Sequence, residues 1–161
     1  VTPFFIIFTS NGDAATILGA SGLFLFGFTY LYVAMNGLLK LDGSGLGWFC
    51  GYVALAAIVY TVLNARLNTD GGLFLATLWI QWAFLWGLFW LVLAQGRGGL
   101  TRYTGAVCLT QGIITGMIPA FVLLAQPDLF TQANAFVLLA IGVVLDILYW
   151  VRMRPSTAVA A

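Results

Sequence analysis

Residues 73–95 read LFLATLWIQWAFLWGLFWLVLAQ, a continuous stretch without a charged side chain. An α-helix needs about 20 mostly apolar residues to cross the ~30 Å hydrocarbon layer of a bilayer, and this stretch is long enough. Lipid offers the backbone no hydrogen-bond partners, and the stretch is too long for a strand, so it must be helical. It therefore predicts a transmembrane helix.

Similar apolar stretches recur along the chain, which has 161 residues, of which 62% are hydrophobic and 7% charged. No soluble domain keeps such a composition in water, because its surface would be mostly apolar. Short links rich in Gly, Asn and Asp separate the stretches and favour antiparallel hairpins. We predict an all-α membrane protein, a bundle of transmembrane helices built from antiparallel hairpins. We predict a partial segment at about 1–9 and five full spans at about 17–39, 46–64, 73–95, 103–125 and 133–151.

The net charge is +1, and the few cations are isolated at the ends of spans. With no basic patch, nucleic acid is excluded as a partner. The positive-inside rule places the more cationic side in the cytoplasm, which puts the C-terminal tail inside. One side carries all the cations except Arg66, namely Lys40, Arg97, Arg102, Arg152 and Arg154.

The chain has few residues that could carry chemistry. It contains no His and no Glu, so the usual general bases and metal ligands are reduced to five Asp, of which only Asp146 lies inside a predicted span. We predict no enzyme activity, no metal and no cofactor. Cys50 and Cys108 lie in apolar runs without Cys-x-x-Cys spacing and are predicted to be small buried hydrophobes.

Four tryptophans stand out because they fall at i, i+3, i+7 and i+11 on one helix: Trp79, Trp82, Trp86 and Trp90. This spacing places them on one narrow face. Tryptophan usually gathers at membrane interfaces, which explains Trp90 but not Trp82 and Trp86 near mid-span. Bulk in the core or against lipid explains them as well as a pore lining does. As a lining, flat rings suit a planar amide.

Gln111 is a large amide in the middle of a span. It must find a hydrogen-bond partner either in a lumen or across helices, and the residues alone leave both alternatives open. Pro119 lies in the same span and predicts a kink.

Three stretches resemble the urea/amide channel family of the AmiS/UreI type. They are LFLFGFTYLYVAMN at 23–36, WIQWAFLW at 79–86 and QGIITGMIPA at 111–120. The resemblance covers about residues 1–125. It implies six-helix protomers made of three hairpins, assembled as a hexameric ring in which each protomer holds its own pore.

The resemblance also implies a solute pathway. Its aromatic constriction and the polar position on the following helix match Phe26, Tyr30, Trp79, Trp82, Leu85, Trp86 and Gln111. Gln111 stands where acid-gated members carry an acidic residue, and the chain has no His, so proton gating is not expected. The implied partners are a small neutral amide, the lipid bilayer and further copies of the chain.

The same resemblance divides the chain into two regions. Residues 1–125 match the family from the end of its second helix to its sixth, and residues 126–161 form an additional transmembrane helix with a cytoplasmic tail. The family's first helix and most of its second have no counterpart, so we expect either that residues precede Val1 in the native protein or that the chain is a fragment that cannot close its own lumen.

We predict a passive channel for urea or short-chain aliphatic amides in the bacterial inner membrane. One alternative is an ion- or proton-coupled secondary transporter of small amides, for which Asp146 is the only intramembrane carboxylate. The other is a membrane subunit that transports nothing.

Overall fold

The computed structural model describes residues 1–153, and the predicted tail beyond them lies outside the described residues. The described part is a bundle of helices, so the predicted all-α architecture is confirmed. The helices are α1 (Thr2–Thr9), α2 (Ala14–Leu39), α3 (Ser44–Arg66), α4 (Asp70–Leu93), α5 (Thr101–Gln111), a π-helical segment (Gly112–Met117), α6 (Ile118–Ala125) and α7 (Gln132–Met153).

Five helical stretches are long and apolar enough to cross a membrane: Ala14–Leu39, Ser44–Arg66, Asp70–Leu93, Gly98–Ala125 and Gln132–Met153. They correspond to the five full spans predicted from sequence, with ends that differ by a few residues. The α5, π-helical and α6 segments together form the fourth of these spans.

Polar caps explain why some helices begin before their apolar residues do. The Asp13 carboxylate accepts a hydrogen bond from the Thr16 backbone N–H at 2.7 Å at the start of α2. At the start of α4, the Thr69 hydroxyl accepts from the Gly72 N–H at 3.1 Å. Such caps satisfy backbone N–H groups that have no partner inside the helix. The caps therefore allow α2 and α4 to begin a few residues before the spans predicted from the sequence.

The α3–α4 hairpin forms the centre of the bundle. Val53 and Ala57 on α3 are fully buried against α4. A glycine on α3 lets the two backbones approach closely: a Cβ added at Gly47 would lie 2.8 Å from the carbonyl carbon of Leu93. This close packing fixes the rotation of α4, and hence the direction in which its tryptophans point.

Helix α7 packs against α4 and α5. The rings of Phe74 and Phe130 stack with centroids 3.8 Å apart at one end of this contact. Further along, the Thr110 hydroxyl donates a hydrogen bond to the Tyr149 hydroxyl at 3.0 Å. The last helix is thus joined to the bundle by both aromatic and polar contacts.

Pro119 distorts its span as a π-helical segment at Gly112–Met117. A proline inside a helix lacks the N–H that would bond the carbonyl four residues earlier, and its ring collides with that carbonyl, here Thr115. Widening the preceding turn relieves the collision, and such widened turns are common at functional sites. The distortion predicted from Pro119 is therefore present as a change of helix type upstream of it.

Candidate functional site: an aromatic cavity

A cavity of about 220 Å³ lies between α2, α3, α4 and α5. Phe26 and Tyr30, one turn apart on α2, face Trp82 and Trp86, one turn apart on α4. The full lining is Phe26, Thr29, Tyr30, Val33, Leu46, Cys50, Trp82, Leu85, Trp86, Phe89, Leu93 and Cys108.

One wall of the cavity is built around the Phe26 ring. Its centroid lies 4.8 Å from that of Trp82 and 4.8 Å from that of Trp86, with interplanar angles of 86° and 60°. Edge-to-face contact is the preferred arrangement of aromatic rings, because the positive edge of one meets the negative face of another. The Phe26 ring therefore packs favourably against both tryptophan rings.

The cavity offers few polar groups and no charge. Among the described residues that line it there is no Asp, Glu, Lys or Arg. The Thr29 hydroxyl is already used, since it donates to the Leu25 carbonyl at 2.6 Å. Stripping water from an ion without a counter-charge costs far more than stripping it from a neutral amide. The cavity therefore suits neutral solutes with flat faces.

Trp82 is also held by a hydrogen bond behind the cavity. Its indole Nε1 donates to the Thr115 hydroxyl oxygen at 2.8 Å, and that hydroxyl donates to the Gln111 carbonyl oxygen at 2.6 Å. Thr115 is buried and belongs to the π-helical segment. The Trp82 ring is thus attached to the π-helical segment by a hydrogen bond.

Five of the seven residues predicted for the solute pathway line the cavity: Phe26, Tyr30, Trp82, Leu85 and Trp86. Tyr30 is 71% exposed in this chain, which places it at the rim of the cavity.

Trp79 and Gln111, the other two, lie outside the cavity lining. Trp79 stacks on Tyr60 with centroids 4.5 Å apart, and its ring approaches Gly22 so closely that an added Cβ would lie 2.6 Å from it. Gln111 is 1% exposed, and its amide faces the Asp146 carboxyl. Neither polar atom of the Gln111 side chain makes a hydrogen bond of ordinary geometry within residues 1–153.

Cys108 was expected to be a small buried residue, and this expectation is wrong. It is exposed and lines the cavity, whereas Cys50 is buried as expected. On α5 it is Val107, next to Cys108, that is fully buried in the core. Apolar runs on neighbouring helices gave no indication of which face of α5 would meet the cavity.

Helical periodicity does identify other lining residues that the sequence analysis did not name. Phe89 and Leu93 follow Trp82 at i+7 and i+11, and Thr29 and Val33 follow Phe26 at i+3 and i+7. Residues at these spacings share one face of a helix. Following the face of Trp82 along α4 and the face of Phe26 along α2 therefore identifies them.

Asp146 lies apart from the aromatic cavity. Its side chain lines a shallow groove of about 290 Å³ together with Tyr103 and Trp150, and one carboxyl oxygen is buried without a hydrogen-bond partner among the described residues. Within residues 1–153, no group of three His, Cys, Asp or Glu side chains is placed to hold a metal ion.

Comparison with known proteins assigns the chain to a family. The model of the AmiS/UreI family transporters matches residues 1–127. A putative amidate substrates transporter protein of Mycolicibacterium smegmatis is 43% identical over 125 residues, which cover 78% of this chain and 58% of the relative. The putative transporter protein AmiS2 of Rhodococcus erythropolis is 44% identical over 126 residues, covering 77% of this chain and 59% of the relative.

A more distant relative is the acid-activated urea channel of Helicobacter pylori, 33% identical over 116 residues, which cover 66% of this chain and 58% of that protein. The chain thus spans less than two thirds of the length of the curated relatives it matches. No solved structure matches it. On the family match, which extends over most of its length, the chain belongs to the AmiS/UreI family of membrane transporters.

Proposed function

We propose that the protein is a passive channel that conducts urea or short-chain aliphatic amides across the bacterial inner membrane and is not gated by protons. The observation that carries this proposal is the cavity in which Phe26, Trp82 and Trp86 meet without any charged side chain in the lining. The names of the relatives, which include an amidate transporter and an acid-activated urea channel, support the substrate class of this proposal.

The cavity favours amides through shape and hydration. Urea and small amides are planar, so their faces can lie against aromatic rings while their edges keep hydrogen bonds to water above and below. Bulkier neutral solutes with tetrahedral carbons do not fit between flat rings in the same way. Ions lose their hydration without compensation. Selectivity then comes from the spacing of the rings.

Two loop carboxylates, those of Asp13 and Asp42, support the absence of gating from the loops. The sequence contains no His or Glu, and an Asp with an unperturbed pKa, near 3.9, is already almost fully ionised at about pH 5. Hydrogen bonds from the side chain and backbone of Thr16 lower the pKa of Asp13, and those from Ser44 lower the pKa of Asp42. Neither loop carboxylate changes charge near neutral pH.

Assembly as a homo-oligomer, with a hexameric ring as the form that the family resemblance implies, is part of the same proposal. Many large apolar side chains lie on the surface of the described chain, among them Phe28, Leu31 and Leu124. In a bilayer such residues face lipid or neighbouring protomers. Chemical crosslinking in native membranes tests this: a ladder that ends at six subunits supports the ring.

Flux through liposomes tests the channel itself. Proteoliposomes are placed in inward gradients of urea, acetamide or glycerol, and shrinkage and reswelling are followed by light scattering. A passive channel gives amide fluxes that are linear in the gradient, unchanged by a proton or sodium gradient, and well above that of glycerol. Empty liposomes and liposomes with an unrelated helical membrane protein serve as controls.

A coupled transporter is the second candidate, because Asp146 is a carboxylate within a span. Uphill accumulation of amide driven by a proton or sodium gradient would establish it in place of the channel. In that case Asp146→Asn should abolish accumulation, since the isosteric amide cannot exchange a proton or bind a cation strongly. No amide flux above the controls would favour a subunit that does not transport.

A further inference from the structure

Among the described residues that line the cavity, Trp82 alone is an aromatic group tied to another helix by a hydrogen bond. Its ring stands perpendicular to that of Phe26, and its indole N–H donates to the Thr115 hydroxyl at 2.8 Å, outside the cavity lining. Trp79 also packs edge-on against it, with centroids 5.0 Å apart. Contacts to rings permit some sliding, whereas the hydrogen bond fixes the direction of the indole plane.

The direction of this hydrogen bond is determined by the chemistry of the groups. An indole N–H can only donate, so Thr115 must accept from Trp82. The single hydroxyl proton of Thr115 is then directed to the Gln111 carbonyl oxygen, 2.6 Å away. Both bonds are consistent with one arrangement alone, in which Trp82 donates to Thr115 and Thr115 donates to the backbone of α5.

The helix at Thr115 is specialised for this contact. Thr115 lies in the π-helical segment, four residues before Pro119, and its side chain is 3% exposed. Without the widened turn, the Thr115 carbonyl would collide with the proline ring. A π-helical turn also rotates the side chains within it relative to an α-helix, so Pro119 contributes to aiming the hydroxyl at α4.

We propose that Thr115 is a positioning residue that sets the solute selectivity of the cavity by holding the Trp82 indole plane. The proposal rests on the proposed amide channel. Because the indole N–H is already bonded, Trp82 presents only its apolar face to a passing amide and does not retain it by a hydrogen bond. Thr115 thereby keeps the Trp82 side of the cavity flat and without a free N–H donor.

Thr115→Val tests the proposal, because valine has nearly the shape of threonine but no hydroxyl. The freed indole can then turn, and its N–H becomes a donor that faces either the solute or water. We expect the ratio of acetamide to glycerol flux to fall by up to about fivefold, because losing one hydrogen bond of ordinary strength lowers the population of the held ring orientation by about that factor. Thr115→Ser restores the acceptor and should restore the ratio.

Thr110→Val is the matched control. Thr110 is on the same span, is similarly buried, and loses an interhelical hydrogen bond of 3.0 Å to Tyr149, but it lies outside the cavity lining. A role of Thr115 in packing alone predicts that the two valine variants behave alike. The positioning role predicts that only Thr115→Val changes the flux ratio, while both variants give the same yield and the same elution on gel filtration.

A spectroscopic measurement separates this proposal from the channel proposal. Indole ¹⁵N labelling and the Nε1–H resonance of Trp82, assigned by its loss in Trp82→Phe, report the hydrogen bond without any transport. A shift of that resonance in Thr115→Val, but not in Thr110→Val, shows that the bond exists even if the protein conducts no amide. If the shift occurs and amide flux is normal but the flux ratio stays unchanged, Thr115 does not set selectivity. If no shift occurs, the bond itself is refuted.

Discussion

The Phe26 ring stands edge-on to the Trp82 ring, with centroids 4.8 Å apart and an angle of 86° between the planes. The two residues come from α2 and α4, which are separated in sequence by the whole of α3. This contact brings the resemblance at 23–36 and the tryptophan stripe together in one cavity.

Trp82→Ala should widen the cavity and reduce the preference for planar amides over glycerol, because it removes a ring with about 150 to 250 Å² of contact surface. Flux ratios in proteoliposomes measure the effect. Trp48→Ala is the control: Trp48 is 60% exposed, lies outside the cavity lining, and should leave the ratio unchanged. A Trp82→Ala protein that folds, assembles and keeps its selectivity would contradict the lining role.

Trp79→Ala should act on stability rather than on selectivity. Trp79 is 6% exposed and stacks on Tyr60, so its removal leaves a hole in the packed α3–α4 core. Such truncations cost about 3 to 5 kcal/mol. Thermal denaturation in detergent should show a lowered midpoint, while any protein that reconstitutes should discriminate acetamide from glycerol normally. A stable variant with altered discrimination would place Trp79 in the pathway after all.

Cys108 should provide a chemical block of the cavity. It is exposed and lines the cavity, whereas Cys50 is 2% exposed. Treatment with methyl methanethiosulfonate should therefore lower urea flux, and Cys108→Ser should be resistant. Mass spectrometry identifies the modified residue. Full modification of Cys108 with unchanged flux would argue that solute takes another route.

Urea flux should not vary with external pH between about 5 and 8. For Asp13 and Asp42 the pKa is lower in the folded protein than in the unfolded chain, so their stabilising effect is complete above the unfolded value near 4. This stabilising effect is lost only as the pH falls through the pKa of each carboxyl in the folded protein, which lies below the tested window. Both carboxylates therefore keep their charge throughout that window. Stopped-flow light scattering at each pH is the measurement. Steep activation by acid would refute this prediction and make Asp13, in the loop before α2, the first residue to substitute.

The cation distribution predicts that the loops at 40–45 and 96–102 face the cytoplasm. In a Cys108→Ser background, Ser44→Cys and Gly98→Cys should resist a membrane-impermeant maleimide added to intact cells. Both should react after the cells are permeabilised, which is the positive control. Labelling of either cysteine in intact cells would show that these loops face outwards and would contradict the predicted orientation.

Much of the fold is contained in the sequence because a bilayer leaves the backbone few choices. Any apolar stretch of about 20 residues must be helical there, which is why the predicted spans and the observed helices agree to within a few residues. The family resemblance and the spacing of Phe26, Tyr30, Trp82 and Trp86 also placed these residues on single faces of their helices.

Periodicity alone determines the angle of a side chain around its own helix, but not which neighbour lies at that angle. Trp79 belongs to the same stripe as Trp82, yet Tyr60 and Gly22 cover its ring, and it stays out of the cavity. Gln111 could have faced a lumen or another helix, and α7 places the Asp146 carboxyl beside it. The small residues of α3 and the widened turn before Pro119 decide how closely the helices approach and how they are rotated. The sequence therefore determined the helices and the aromatic character of the site, while only the packing of α2, α3, α5 and α7 around α4 decided which side chains line the cavity.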